Sequence, residues 1–390
     1  MTWVNRTVCR ITCQVPRLLS PAVRSALEGT GALAGFTQPG RTVQIRERKL
    51  PFYPATVTDL EENLCDILQL YYPPEVEQRV LKRLISAGGL EMADRGSIYS
   101  EEAEQLLPAL ALPAGAEEKN EAEAAVEASP AKRFSLVTDL AGICCILPRG
   151  LGDVVARVAL ELGTCVPAIS FGTGTGWRDR LGLLRVAIPA EKELVTLVVP
   201  HHDAEGLARR LVEGGRLSQP GRGFVYLYPI RRGLLNIQLW IGPQCHAASI
   251  NQVVAAVDAL WGGTGWRRRF SAEERGPLYR IPRFQHDLLE LTLICPEGRT
   301  AGLVHAAMEA GSGGATSQRV VRLGATEAEP EELPAGRELT TMVIPARRRE
   351  SVLAALRGAG LFAEGVAGSL LYVAPAPLAY SYTRRRMGRP

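Results

Sequence analysis

Hydrophobic positions along this chain fall into one pattern written three times. An apolar run ends in proline, a short helical stretch closes with glycine and leucine, and a second apolar run follows a glycine. The first copy reads Leu70-Tyr71-Tyr72-Pro73, Gly88-Gly89-Leu90 and Gly96-Ser97-Ile98-Tyr99. The second reads Val198-Val199-Pro200, Gly214-Gly215-Arg216-Leu217 and Gly223-Phe224-Val225-Tyr226, and the third Val343-Ile344-Pro345, Gly358-Ala359-Gly360-Leu361 and Gly368-Ser369-Leu370-Leu371-Tyr372. A further strand and helix precede each copy. Three like units in one polypeptide predict a closed ring with approximate threefold symmetry.

The second copy shows the element order best. Ile143 to Leu147 is a short apolar run, after which Leu151, Val154, Val155, Val158, Ala159 and Leu162 recur at the spacing of one helix face, stopped by Gly163. Strands are expected at Val166 to Phe171 and Leu194 to Val199. Asp203 is expected to cap a helix ending at Gly214, and the last strand covers Phe224 to Tyr228. The order strand, helix, strand, strand, helix, strand is the split βαβ, ferredoxin-like arrangement.

Val8 to Val15 and a helix opened by Ser20-Pro21 and ending near Gly29 begin the first copy; Leu288 to Cys295 and a helix from Thr300 to Gly311 begin the third. The expected class is therefore α+β, with three tandem ferredoxin-like (βαββαβ) units at residues 1–105, 136–234 and 285–390. Between the last two lies an extension at 235–284, comprising a strand at Ile237 to Ile241 and a helix with Ile250, Val253, Val254, Val257 and Leu260 on one face.

Charge sharpens the boundaries. From Glu101 to Glu127 the chain carries Glu102, Glu104, Glu117, Glu118, Glu121 and Glu123 among alanines and prolines, which reads as a flexible linker over residues 106–135. The remainder is more basic than the net charge of +4 suggests, with runs at Arg267 to Arg269, Arg347 to Arg349 and Arg384 to Arg386. Such runs are solvated faces, or they meet an acidic partner, an anionic ligand or the headgroup side of a membrane protein. They are not interleaved with aromatics, so nucleic acid is not the expected partner.

With 390 residues, 46% of them hydrophobic, the chain can supply a core to each unit. No apolar run approaches the roughly 18 residues of a membrane span. Met1 to Arg6 lacks the regions of a signal peptide, so the expected location is cytoplasmic. Eight cysteines form no CxxC pair, and Cys13, Cys144, Cys145 and Cys295 sit in apolar runs as expected for buried, reduced thiols.

Two glycine-rich stretches are candidates for anion binding. Gly172, Thr173, Gly174, Thr175, Gly176 and Arg178 could turn backbone N–H groups, hydroxyls and a guanidinium toward a phosphate, or form a tight turn. No Gly-Lys-Ser/Thr follows, which excludes a P-loop. Gly221, Arg222 and Gly223 in the second copy and Arg95 and Gly96 in the first place an arginine beside glycine on a turn before a strand, while the third copy has Val366-Ala367-Gly368. For catalysis the candidates are His201 and His202 with Asp203, or His246 with Cys245. Adjacent histidines at a strand end face opposite sides, no pair recurs between copies, and no catalytic set assembles from spacing, so no enzyme is expected. The sequence shows no carboxylate and histidine cluster, which counts against a structural or metal-binding trimer similar to the CutA family.

With these residues in view, the chain resembles the nitrogen-regulatory PII family of signalling proteins, as three fused units forming a single-chain pseudotrimer, monomeric as a chain. The short glycine loop before that family's last strand is similar to Gly221-Arg222-Gly223, with Arg222 and Phe224 where the family has an acidic residue and a lysine. The family's long exposed loop falls on Thr173 to Glu193, with counterparts at Arg41 to Asn63 and Leu323 to Gly336. The stretch His246 to Ile250 through Gly262 to Arg269, with the Gly172 to Asp179 loop, is similar to a long PII-like subgroup that accompanies bacterial inorganic carbon uptake.

The resemblance implies an adenine nucleotide (ATP, ADP or AMP, with Mg as accompanying ion) or a related small anionic effector between units, with Arg231 and Arg232 adding charge for phosphates. It also implies a membrane transporter complex for inorganic carbon or ammonium as partner, met by exposed loops. In the first copy the partner loop carries Arg46, Arg48, Phe52 and Tyr53, whereas the third loop is acidic at Glu327, Glu329, Glu331 and Glu332.

Overall fold

A computed structural model describes residues 3–49, 56–92, 95–108, 136–176, 190–235, 260, 284–324, 336–363 and 368–382. Its described elements are mixed α and β with strands dominant. A first segment comprises β1 (Trp3–Pro16), α1 (Ser20–Ser25), β2 (Ala34–Lys49), β3 (Thr56–Tyr72), α2 (Glu77–Gly88) and β4 (Ser97–Pro108). The second comprises β5 (Leu140–Pro148), α3 (Gly152–Glu161), β6 (Ala168–Gly176), β7 (Glu191–Pro200), α4 (His201–Gly214) and β8 (Phe224–Ile230), followed by the short β9 (Arg232–Leu234). The third comprises β10 (Gln285–Pro296), α5 (Thr300–Glu309), β11 (Gly314–Arg322), β12 (Gly336–Pro345), α6 (Arg349–Gly358) and β13 (Leu370–Ser381).

Punctuation explains the boundaries. Pro16, Pro148 and Pro296 end the first strand of each segment, and Pro200 and Pro345 end the third strand of the later two. Helix α2 stops where Gly89 turns left-handed at φ 58° and its N–H returns to the carbonyls of Ile85 and Ser86.

All strand pairings are antiparallel. Within the segments the orders are β2-β3-β1-β4, β6-β7-β5-β8 and β11-β12-β10-β13. Between segments, the second strands pair with one another, β2 with β6, β6 with β11 and β11 with β2. The last strands join as well, β13 to β8 and β4, and β4 to β9. Among the described residues the result is one 13-stranded sheet.

The two-residue alternation of the strands sorts their side chains onto two faces. Cys9, Ile11, Cys13 and Val15 of β1 pack with Val80, Leu81, Leu84 and Ile85 of α2. Ile143, Cys145 and Leu147 of β5 meet α3 and α4 at Val155, Ala159, Leu207 and Leu211. Leu291, Leu293 and Cys295 of β10 meet α5 and α6 at Leu303, Val304, Val352, Leu353 and Leu356. Each such leucine or valine contributes about 1.5–3 kcal/mol by leaving water. The described cysteines are all buried and unbridged, and burial pushes the Cys9 and Cys13 thiols up to about 12. Among the described residues no helix is long and apolar enough to cross a membrane.

Four expectations are corrected. The acidic stretch does not open a linker at Glu101: β4 runs through Glu101, Glu102 and Glu104 and on through residues 106–108 of the expected linker, paired with β1, with Glu101 and Ala103 buried on one face and Leu106 on the other. Asp203 is not a cap, because α4 starts at His201 directly after Pro200 and no side chain caps it; Asp203 sits in the first turn, where a carboxylate suits the helix dipole. Helix α1 is six residues long and has Leu19, not Ser20, at its cap. Finally, Arg41 to Asn63 is largely not a loop, because β2 and β3 pair continuously from Ala34 opposite Tyr71 to Lys49 opposite Thr56. Residues 109–135 of the expected linker and 236–259 and 261–283 of the expected extension lie outside the described residues.

Candidate functional site

Gly172, Thr173, Gly174, Thr175 and Gly176 form the second half of β6, paired with β7 on one side and with Gly314 to Ser317 of β11 on the other. None of these glycines has the positive φ that an anion-cradling turn needs. Their lack of a side chain serves close approach instead. A Cβ on Gly172 would lie 2.9 Å from the Ser317 carbonyl oxygen, and one on Gly174 would lie 2.6 Å from the Lys192 side chain. Arg178 lies outside the described residues.

The turn glycines have the expected conformations for a different reason. Gly96 (φ 115°) and Gly223 (φ 154°) let the last strand close on the first, since a Cβ would come within 2.0 Å of the Gln14 oxygen and 3.0 Å of the Ile146 oxygen. Gly221 (φ 73°) turns the chain, and the Arg222 N–H donates to Gln219. The Arg95 side chain lies against Gly89.

Arg231 and Arg232 are engaged with the first segment. Arg231 lies 3.8 Å from Glu77 and 3.7 Å from Glu102, Arg232 lies 3.5 Å from Glu77, and the Ser100 hydroxyl donates to Glu77. Arg46 pairs with Glu61 at 3.0 Å on the exposed part of the β2–β3 hairpin. Arg48 belongs to β2, opposite Val57, while Phe52 and Tyr53 lie outside the described residues. His202 lies 3.7 Å from Asp203, His246 and Cys245 lie outside the described residues, and no metal-holding group of His, Cys, Asp and Glu occurs among the described ones.

The sheet register reveals a site that residue spacing alone did not. Opposite Val15, Leu147 and Cys295, each the residue before the proline that ends a first strand, stand Asp66, Glu193 and Glu338. Each carboxylate serves the first helix of its own segment. Glu193 accepts the N–H groups of Gly150 (2.9 Å) and Gly152 (2.7 Å), Glu338 accepts the Thr300 hydroxyl, and Asp66 lies 3.1 Å from Arg24. The second strand of a neighbouring segment runs past two of these carboxylates.

At the junction of the first and second segments, Arg41 reaches Asp153 (2.6 Å), Glu62 (2.8 Å) and Glu193 (3.7 Å), and Val43 is fully buried in the second segment's core. At the junction of the second and third, the same register places Thr173 and Thr175, beside a cleft of about 230 Å3 lined also by Thr300, Ala301, Val304, Ser317, Gln318, Arg319 and Glu338. Of the described residues in the sequence-predicted set, only Thr173 and Thr175 line this cleft.

A second feature lies on the inner face of the sheet. Arg10 of β1, only 5% exposed, lies 2.6 Å from Glu101 of β4 and 2.5 Å from Glu290 of β10. A cavity of about 60 Å3 beside them is lined by all three segments. Gln318 donates to Ser170 across it, and the rings of Tyr71 and Tyr372 stack at 3.8 Å. Burial, reinforced by Glu290, pushes Glu101 up to about 7 against the pull of Arg10. Burial also opposes charge on Glu290, but Arg10 and the hydrogen bonds of Thr292 and Tyr226 hold it below the usual carboxylate range.

No family model and no curated protein matches the chain. Among solved structures it is similar to B. subtilis GlnK, at 10% identity over 25% of this chain and 85% of that one, with a TM-score of 0.20. It is also similar to the ferredoxin protease FusC in complex with Arabidopsis ferredoxin, at 8% identity over 90% of this chain and 62% of that one, with a TM-score of 0.11. Likenesses of this size carry no conclusion about fold or activity.

Proposed function

We propose that the chain is a PII-like regulatory protein, a single-chain pseudotrimer whose effector enters the cleft between the second and third units. The observation that carries this reading is the junction itself: three βαββαβ segments joined through mutually paired second strands, with a cleft of about 230 Å3 at one joint. The effector is a small anion of the adenine nucleotide class. Arg319, the first turn of α5 and the hydroxyls of Thr173, Thr175 and Ser317 suit phosphate oxygens. Glu338 suits ribose hydroxyls as an acceptor, and Val304 offers an apolar contact.

An effector that favours one arrangement of this joint shifts the hairpins that continue from the second strands. The exposed β2–β3 hairpin is the surface that would meet a partner, which on this reading is a membrane transport complex, inorganic carbon uptake before ammonium.

Calorimetric titration of the chain with ATP, ADP and AMP, with and without magnesium, tests the reading. Saturable binding of one nucleotide that is weakened by Arg319→Ala supports it. Absence of binding by all three removes the nucleotide.

A further inference from the structure

We infer that, among the described residues, one of the three inter-unit joints keeps an open cleft, because side chains of the chain itself plug the other two. Access to the cleft follows from the geometry of the joints; only the identity of its ligand rests on the proposed function.

Equivalent positions are fixed by the sheet. The residue two beyond Arg41 is Val43, whose N–H donates to the Pro167 oxygen of the second segment. The residue two beyond Thr173 is Thr175, paired with Ala315 of the third. The residue two beyond Val321 is Leu323, whose N–H donates to the Gly35 oxygen of the first. Pro167, Ala315 and Gly35 lie at the same distance after Pro148, Pro296 and Pro16, so Val43, Thr175 and Leu323 are counterparts.

Two of the three act as apolar plugs. Val43 is 0% exposed in the core around α3 and α4, and the half-buried Leu323 packs against the cluster that includes Val23 and Leu84. Thr175 carries a hydroxyl and no comparable apolar reach, and it lines the cleft instead.

Charge repeats the division. At the first joint Arg41 inserts a tethered guanidinium between Asp153 and Glu193. At the second the counterpart of Arg41 is Thr173 and that of Asp153 is Ala301, so this tethered pair has no equivalent, and Arg319 and Glu338 line the cleft instead. At the third, Asp66 is matched from within its own segment by Arg24 and Arg17 at 3.1 and 3.7 Å. Among the described residues the open cleft is thus at the second joint alone.

Cysteine labelling tests this without a ligand. Thr175→Cys and Val43→Cys are near-isosteric, and the seven described native cysteines are buried; a Cys245→Ser background removes the eighth. In the folded full chain, iodoacetamide is expected to modify Thr175→Cys at least about tenfold faster than Val43→Cys, because alkylation follows access to the thiol. Equal rates overturn the single open cleft, whatever nucleotides do. Faster modification of Thr175→Cys that ATP slows supports both the cleft and its ligand. Faster modification that ATP, ADP and AMP leave unchanged keeps the single cleft and removes adenine nucleotides from the proposed function.

Discussion

The helix-facing side of the sheet and its inner side follow different rules. On the helix side the three segments repeat one another: Leu84, Leu211 and Leu356 stand at the same distance after Pro73, Pro200 and Pro345, and all are fully buried. On the inner side the counterparts differ. The residues at equal distance before Pro16, Pro148 and Pro296 are Arg10, Gly142 and Glu290. At Gly142 a Cβ would meet the Tyr228 ring at 2.0 Å, so that ring occupies the space of the missing side chain.

Each segment needs its own two-helix core, and that need is met locally three times. The inner side is shared by all three, and within one polypeptide three corresponding positions can hold a cation, a void filled by a neighbour and an anion. Mutual fit therefore replaces repetition where the segments meet.

The comparison breaks most sharply at Arg10. Arg10→Met leaves Glu101 and Glu290 buried without their shared cation, and is expected to cost about 3–5 kcal/mol of unfolding free energy. Arg10→Met combined with Glu101→Leu and Glu290→Leu should recover most of that loss, since a well-packed apolar group often equals a buried ion network. Urea unfolding of both variants decides. A loss below about 1 kcal/mol for Arg10→Met would mean that water already screens the network.

The repeated side is expected to respond in triplicate. Leu84→Ala, Leu211→Ala and Leu356→Ala should each cost about 2–5 kcal/mol through lost burial and the cavity left behind. The three values should agree within the spread that local collapse allows. If one segment lost far less than the others, its helix pair would not be a core of the same kind. Thermal unfolding of the three variants in parallel gives the answer.

How much of this was legible beforehand follows the same division. Apolar periodicity and proline and glycine punctuation placed most of the strands and helices, because those features act within a few residues. The acidic stretch at Glu101 misled because composition alone does not distinguish a solvated linker from a strand whose carboxylates each meet an arginine: Glu101 with Arg10, Glu102 with Arg231 and Glu104 with Arg349 at 2.5 Å. Those arginines come from the first, second and third segments in turn, and no local window contains them. The glycines of β6 misled for a related reason. Glycine serves both positive φ and close approach, and only the pairing with β11 chooses between them. Thr173 and Thr175 were legible as candidates, whereas Glu338, Thr300 and Arg319 became visible only through the register that brings them opposite.

The finest test of the inner side is its proton. The folded chain raises Glu101 to about 7 from an ordinary 4.5, chiefly by burial. A carboxyl with a raised folded pKa binds its proton more tightly folded than unfolded. Its stabilising contribution is therefore complete below the unfolded pKa and is lost as pH rises through the folded one. Stability is expected to fall between about pH 4.5 and pH 7. The fall should be on the order of 3 kcal/mol, because each tenfold gain in proton affinity is worth about 1.4 kcal/mol. Glu290 works in the opposite sense, since its lowered pKa stabilises above its unfolded value and is lost on further acidification. Glu101→Gln keeps an acceptor for Arg10 but has no proton to lose, so the variant should show a flat profile over the same window. Urea midpoints measured from pH 4.5 to 7.5 separate the outcomes: a slope that persists in Glu101→Gln would place the titrating group elsewhere in the molecule, and the inner network would then hold its charges fixed.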